Sequence, residues 1–165
     1  MSICYHLGML HLALLLALAF VPAQRPTDIV KWAAAPSASQ VEAGGVLQIA
    51  VSARIQAGWK LYAVDQPAGG PVPLTFDLAD GARFAIEVRG IVAPKAKVQK
   101  QDANFAVDTK YYEQEARFTV PVSVPRTTAA GTHTIPLEVT FQACGAELCL
   151  RPFTEKLAVP ITVRK

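Results

Sequence analysis

The stretch Leu47-Gln48-Ile49-Ala50-Val51-Ser52-Ala53-Arg54-Ile55 decides the fold. Leu47, Ile49, Val51, Ala53 and Ile55 recur at every second position, the period of a β-strand with one face buried and the other turned to water. The same period returns at Phe84, Ile86 and Val88; at Phe118, Val120, Val122 and Val124; at Ile135, Leu137, Val139, Phe141 and Ala143; and at Leu157, Val159, Ile161 and Val163. Shorter candidates span residues 59–64 and 72–78, and a helical period is almost absent. The pattern predicts an all-β sandwich of about seven or eight strands. Turn chemistry separates them at Ala57-Gly58, Pro67-Ala68-Gly69-Gly70-Pro71, Asp80-Gly81 and Ala130-Gly131. Pro73, Pro121, Pro136 and Pro160 fall inside the runs and cannot donate to a central ladder, so they are expected at edges, bulges or strand ends. Residues 93–111 form the longest non-alternating segment, read as a loop of the length that usually carries function or disorder.

The 165 residues bound the chain to one ordinary domain, and the 52% apolar content is uneven. Residues 1–23 contain no Asp, Glu, Lys or Arg, run unbroken and apolar from Leu12 to Phe20, and end in Val21-Pro22-Ala23, with small residues where a signal peptidase cuts. We read residues 1–23 as a signal peptide cleaved after Ala23, residues 24–38 as a lead-in strand or linker, and residues 39–165 as the folded domain. The apolar run is shorter than the roughly 20 residues that span a bilayer, so export as a cleaved, soluble protein is favoured over an uncleaved amino-terminal anchor.

Inventory removes most chemistry. Net charge is +3 with the signs intermingled, and the densest basic group, Lys95, Lys97 and Lys100, suits a solvated edge rather than a nucleic-acid surface. Beyond the leader the one histidine, His133, opens an alternating strand and is read as a solvent-facing strand residue. It and two cysteines fall short of the four ligands of a closed zinc site. No phosphate-binding glycine loop, dinucleotide fingerprint or metalloprotease motif is present, and no bound cofactor is expected.

Loss of the leader removes Cys4 and leaves Cys144 and Cys149, an even pair with four residues between them, in an oxidising compartment. Alternation turns Phe141 and Ala143 one way, placing Cys144 on the other face or at the loop, where a partner could reach it. Closing roughly six residues stabilises a fold by only about 2 kcal/mol, so the pair is a poor long-range staple. Its proximity favours rapid resolution of a mixed disulfide, which leaves redox function and a local structural disulfide both open. Arg151 would favour a thiolate at Cys149, and Glu147 would oppose ionisation of either sulfur, making Cys149 the expected nucleophile.

Three segments carry a resemblance. Phe141-Gln142-Ala143-Cys144 with Cys149-Leu150-Arg151-Pro152, Gly58-Trp59-Lys60-Leu61-Tyr62 followed by Gly69-Gly70-Pro71-Val72-Pro73-Leu74, and Lys110-Tyr111-Tyr112-Glu113 before Phe118-Thr119-Val120-Pro121-Val122 stand in the order of one family. Together they resemble the amino-terminal periplasmic domain of the DsbD thiol:disulfide interchange family over roughly residues 28–165. The resemblance implies an immunoglobulin-like sandwich that takes electrons from a thioredoxin-like domain, supplied by a membrane-embedded one, and passes them to exported isomerases or cytochrome c maturation thioredoxins. It assigns the mixed disulfide to Cys149 and resolution to Cys144. It also implies an aromatic cap over the cysteines, for which Phe105 within residues 102–109 is the candidate, and a site-lining role for Tyr62.

The leading expectation is therefore periplasmic thiol:disulfide exchange, as a protein-disulfide reductase component working in trans with thioredoxin-fold donors and acceptors and, as a further candidate, a membrane electron-transfer protein. The competing reading is a non-catalytic immunoglobulin-like binding or assembly domain with an inert Cys144–Cys149 bridge. Metal capture by the two thiolates is a third.

Overall fold

The alternation around Ile49 builds the longest strand of the first sheet. A computed structural model describes residues 25–165; the expected signal peptide, residues 1–23, and its expected cleavage site after Ala23 lie outside the described residues. A single helical turn, α1 (Pro26–Ile29), leads into β1 (Val30–Pro36), β2 (Gln40–Glu42), β3 (Val46–Ile55) and β4 (Lys60–Tyr62). The chain continues through β5 (Thr75–Leu78), β6 (Ala85–Ile86), a 3-10 turn (Val88–Gly90), β7 (Lys97–Asp102), β8 (Val107–Tyr112) and β9 (Glu115–Ser123). It closes with β10 (Gly131–Phe141), β11 (Ala143–Cys144) and β12 (Phe153–Arg164).

Two four-stranded sheets, ordered β1-β3-β9-β6 and β2-β12-β10-β5, supply the two layers of an immunoglobulin-like sandwich. Their pairings are antiparallel except β2 with β12, which is parallel. The predicted apolar faces fill the core: Ile49, Val51 and Ala53 of β3, Val120 and Val122 of β9, Ile135, Leu137 and Val139 of β10, and Val159, Ile161 and Val163 of β12 are buried. Residues 30–36, ahead of the expected domain start at 39, pair with β3 at every position from Val30↔Ile55 to Pro36↔Ile49.

Pro121, Pro136 and Pro160 lie inside β9, β10 and β12 rather than at strand ends, and the first two limit the pairing of the short strands beside them. Residues 84–88 were expected to be one strand, but β6 has only two residues. The Glu87 N–H donates to the Pro121 carbonyl at 2.9 Å, and Pro121 has no N–H to return, so the ladder ends there and the chain turns into the 3-10 segment. Pro136 likewise faces the side of β5, accepting only the Ala79 N–H just past that strand's end. Pro71 and Pro73 shorten the expected strand at 72–78 to β5 alone.

A third sheet, ordered β11-β4-β8-β7, closes one end of the sandwich. It overturns the expectation of a loop over residues 93–111, most of which forms the β7–β8 hairpin. The hairpin escapes apolar periodicity because its sequence, Lys97-Val98-Gln99-Lys100-Gln101-Asp102, is mostly polar on both faces and little of it reaches the core. Lys97 and Lys100 on this edge strand pair with Glu113 and Asp108 at the surface, a solvated edge that discourages strand addition. Tyr112 of β8 docks the sheet onto the sandwich by packing edge-on against Phe118, ring centres 5.4 Å apart.

Candidate functional site: a cysteine hairpin beside a capped polar sheet

Strand β10 stops at Phe141 and resumes after one residue as β11, which carries Cys144 into the third sheet. There Cys144 stands opposite Lys60, and Ala143 opposite Leu61. Opposed residues share a face, so Ala143 and Leu61 point to the core while Cys144, Lys60 and Tyr62 share the outer face. Alternation thus predicts the correct face for Cys144. It does not predict its burial, because Cys144 is only 1% exposed and no partner reaches it directly.

Cys149 is the half-buried, accessible member of the pair. The two form a disulfide with Cα atoms 4.0 Å apart. Their backbones also form an antiparallel bridge, flanked by Gly145 N–H to the Leu148 carbonyl at 2.8 Å and Leu150 N–H to the Ala143 carbonyl at 2.9 Å. This is the close, non-hydrogen-bonded pair of an antiparallel ladder. The sulfurs are therefore brought together by the backbone as well as by the covalent bond. Gln142 braces the turn: its Oε1 accepts the Val72 N–H at 2.9 Å and its Nε2 donates to the Leu150 carbonyl at 3.3 Å. Gly145 lies against Trp59, where a Cβ would stand 3.5 Å from the indole. Leu148 and Phe153 are exposed apolar residues on either side of Cys149 in sequence, and Arg151 and Glu147 are both exposed.

Tyr62 lies one diagonal step from Cys144, a Cα separation of about 7–8 Å in a regular ladder. Phe105, at the tip of the β7–β8 hairpin, meets Tyr62 edge-on with ring centres 5.5 Å apart. The structure therefore brings together Tyr62 and Phe105, and joins Cys144 to Cys149. Sequence reasoning missed the group beneath the aromatic pair. Asp102 is 1% exposed, and its Oδ2 accepts the Tyr62 hydroxyl at 3.0 Å and the Thr109 hydroxyl at 2.9 Å. Its Oδ1 accepts the Asn104 backbone N–H at 3.1 Å and side-chain N–H at 3.2 Å. Burial opposes the Asp102 charge, but these bonds and the Lys60 ammonium outweigh it and hold the carboxyl below its ordinary pKa. Burial first, and the Asp102 carboxylate second, push the Tyr62 phenol above its ordinary value. Lys60 reaches from β4 to Gln99 and lies 5.1 Å from the centre of the Tyr111 ring. Lys60 and Gln142 fall inside the recognisable motifs; Asp102, Asn104 and Thr109 have no spacing signal of their own.

The hairpin tip is strained. Gln101 and Ala106 have φ of 42° and 57°, a region that costs a non-glycine residue roughly 1–2 kcal/mol. His133 sits at the opposite end of β10, roughly 35 Å along the strand from Cys144, and bonds the Ala129 carbonyl at 2.8 Å. A cysteine–histidine acyl-transfer pair is thereby excluded. Among the described residues no cluster of three or more His, Cys, Asp or Glu side chains is arranged to hold a metal.

Among the described residues, the soft chemistry of this immunoglobulin-like sandwich is concentrated in one rim hairpin with two cysteines. Residues 28–161 match the family model of the amino-terminal domain of the thiol:disulfide interchange protein DsbD, and the chain belongs to that family. Its fold is similar to the crystal structure of the N-terminal periplasmic domain of ScsB from Proteus mirabilis, with 15% identity, a TM-score of 0.54, and 81% of this chain and 48% of that one covered. The chain thus spans about half the length of that structure. A more distant likeness is to AggA, the major subunit of aggregative adherence fimbriae type I from Escherichia coli, with 12% identity, a TM-score of 0.40, and coverage of 82% and 94%. No curated protein sequence matches the chain. No helix among the described residues is long and apolar enough to cross a membrane.

Proposed function

We propose that this protein works in the periplasm as a thiol:disulfide exchange domain, relaying two electrons at a time between thioredoxin-fold partners. The observation that carries the reading is the unequal burial of two sulfurs held together by a backbone bridge. In the reduced protein the Cys149 thiolate attacks one sulfur of a partner's disulfide. The S–S bond breaks, the other partner sulfur leaves as a thiolate, and a mixed disulfide forms at Cys149. Cys144, deprotonated, then attacks the Cys149 sulfur and expels the partner's remaining thiolate. The partner disulfide has gained two electrons, and this chain has become the Cys144–Cys149 disulfide. A reduced thioredoxin-fold donor resets it by the reverse sequence.

Buried Cys144 suits the resolving role, because it meets Cys149 without needing to meet a partner. Tyr62 lines the site, and Phe105 serves as the aromatic cap, shielding the sulfurs between encounters. The exchange requires no cofactor. Trapping tests the proposal: a Cys144→Ser protein should accumulate mixed disulfides with thioredoxin-fold proteins at Cys149, and a Cys149→Ser protein should not. Capture through Cys144 instead would reverse the roles. Failure of both variants, with a reduction potential well below about −300 mV, would mark the bridge as a structural disulfide.

A further inference from the structure

We propose that Asp102 is the positioning residue that latches the β7–β8 hairpin tip over the cysteine site, acting through Tyr62 and Phe105; the inference rests on the exchange function proposed above. A buried carboxylate needs partners, and Asp102 draws its hydrogen-bond partners from the hairpin tip and from strands β4 and β8. Tyr62 donates to it from β4, Thr109 from β8, and Asn104 twice from the tip. The Asp102 backbone carbonyl adds two more bonds, from the Phe105 N–H at 3.0 Å and the Ala106 N–H at 2.7 Å. Five donors from four residues of the tip and β8, and a sixth from Tyr62 on β4, thus converge on a single residue.

The tip they hold is not relaxed. Gln101 and Ala106 bracket the turn in the left-handed region, which neither side chain favours. Phe105 therefore lies between an anchor at Asp102 and a strained neighbour at Ala106. The hydrogen bonds hold the tip closed, and the backbone strain works toward release. Such a cap opens by giving up the Asp102 bonds, and the relief at Gln101 and Ala106 offsets part of that loss. The Tyr62 hydroxyl couples the latch to the strand whose outer face Cys144 shares.

The test uses the reduced protein in a Cys144→Ser background and follows alkylation of Cys149 by iodoacetamide, read by peptide mass. Asp102→Asn should raise the rate about tenfold, the change expected for loss of one hydrogen bond to a charged group. Phe105→Ala should raise it as much, and the double variant should be no faster than either. Thr109→Val, which removes one donor and little volume, should give a smaller increase and keeps the test open if Asp102→Asn folds poorly. Ala106→Gly, relieving the strain, should slow alkylation and partly reverse Asp102→Asn. In proton NMR the Tyr62–Phe105 ring contact should weaken in Asp102→Asn. An unchanged rate in both Asp102→Asn and Thr109→Val, or additive effects of Asp102→Asn and Phe105→Ala, would overturn the latch. Alkylation needs no protein partner, so the latch can be refuted in a chain that relays electrons and supported in one that does not.

Discussion

Reduction of the Cys144–Cys149 bond should leave the domain folded and only modestly less stable. The closed loop contains about six residues, for which the chain-entropy estimate is about 2 kcal/mol. Four hydrogen bonds of the loop do not involve the sulfurs and should survive reduction: Gly145 to Leu148, Leu150 to Ala143, and the two made by Gln142. The strands feeding the loop, β10 and β12, pair at every position from Gly131↔Val163 to Phe141↔Phe153. At about 3 °C per kcal/mol for a domain of this size, the melting temperature should fall by about 6 °C. Calorimetry of the oxidised protein, the reduced protein and a Cys144→Ser/Cys149→Ser variant measures this directly. A fall of more than about 15 °C, or loss of the near-ultraviolet signal on reduction, would show that the bond holds the domain together. The reasoning that treats both redox states as native would then be wrong.

Gln142→Ala should cost about 1 kcal/mol in urea unfolding, with faster hydrogen exchange at Val72, whose N–H loses its acceptor; protection equal to wild type would mean the clamp is not formed in solution. Asp102 should make stability acid-sensitive. Its folded pKa lies below the unfolded value of about 3.9, so its contribution is present above pH 4 and is lost as pH falls through the folded value. The groups facing it are Lys60 and Tyr62 from β4, Asn104 from the tip and Thr109 from β8. Wild-type stability should therefore fall more steeply between pH 4 and pH 2 than that of Asp102→Asn, and parallel curves would show that the carboxylate is not charged in the fold.

The sandwich was legible because its long strands bury one face, and burial writes a period of two into β3, β9, β10 and β12. The third sheet left a weaker trace. Its β7–β8 hairpin packs polar side chains against one another, so residues 97–112 have no apolar period to read. Cysteine spacing identified the pair that the structure joins in a disulfide, and family signatures pointed to Tyr62 and Phe105, which the fold places in contact. Asp102 was hidden because its partners converge only after a bulge between Gln99 and Asp102 turns the hairpin tip. The burial of Cys144 was equally invisible, since alternation fixes the side to which a residue points but not what covers it there.

The cysteine loop is also the connection of the β10–β12 hairpin, and that placement bears on how the site can diversify. The paired strands fix where the loop begins and ends, while no strand of either main sheet passes through residues 145–152. Residues can be added or removed between Cys144 and Cys149 without shifting the register of the sandwich. The size of the ring that the disulfide closes is thus set independently of the register of the sandwich.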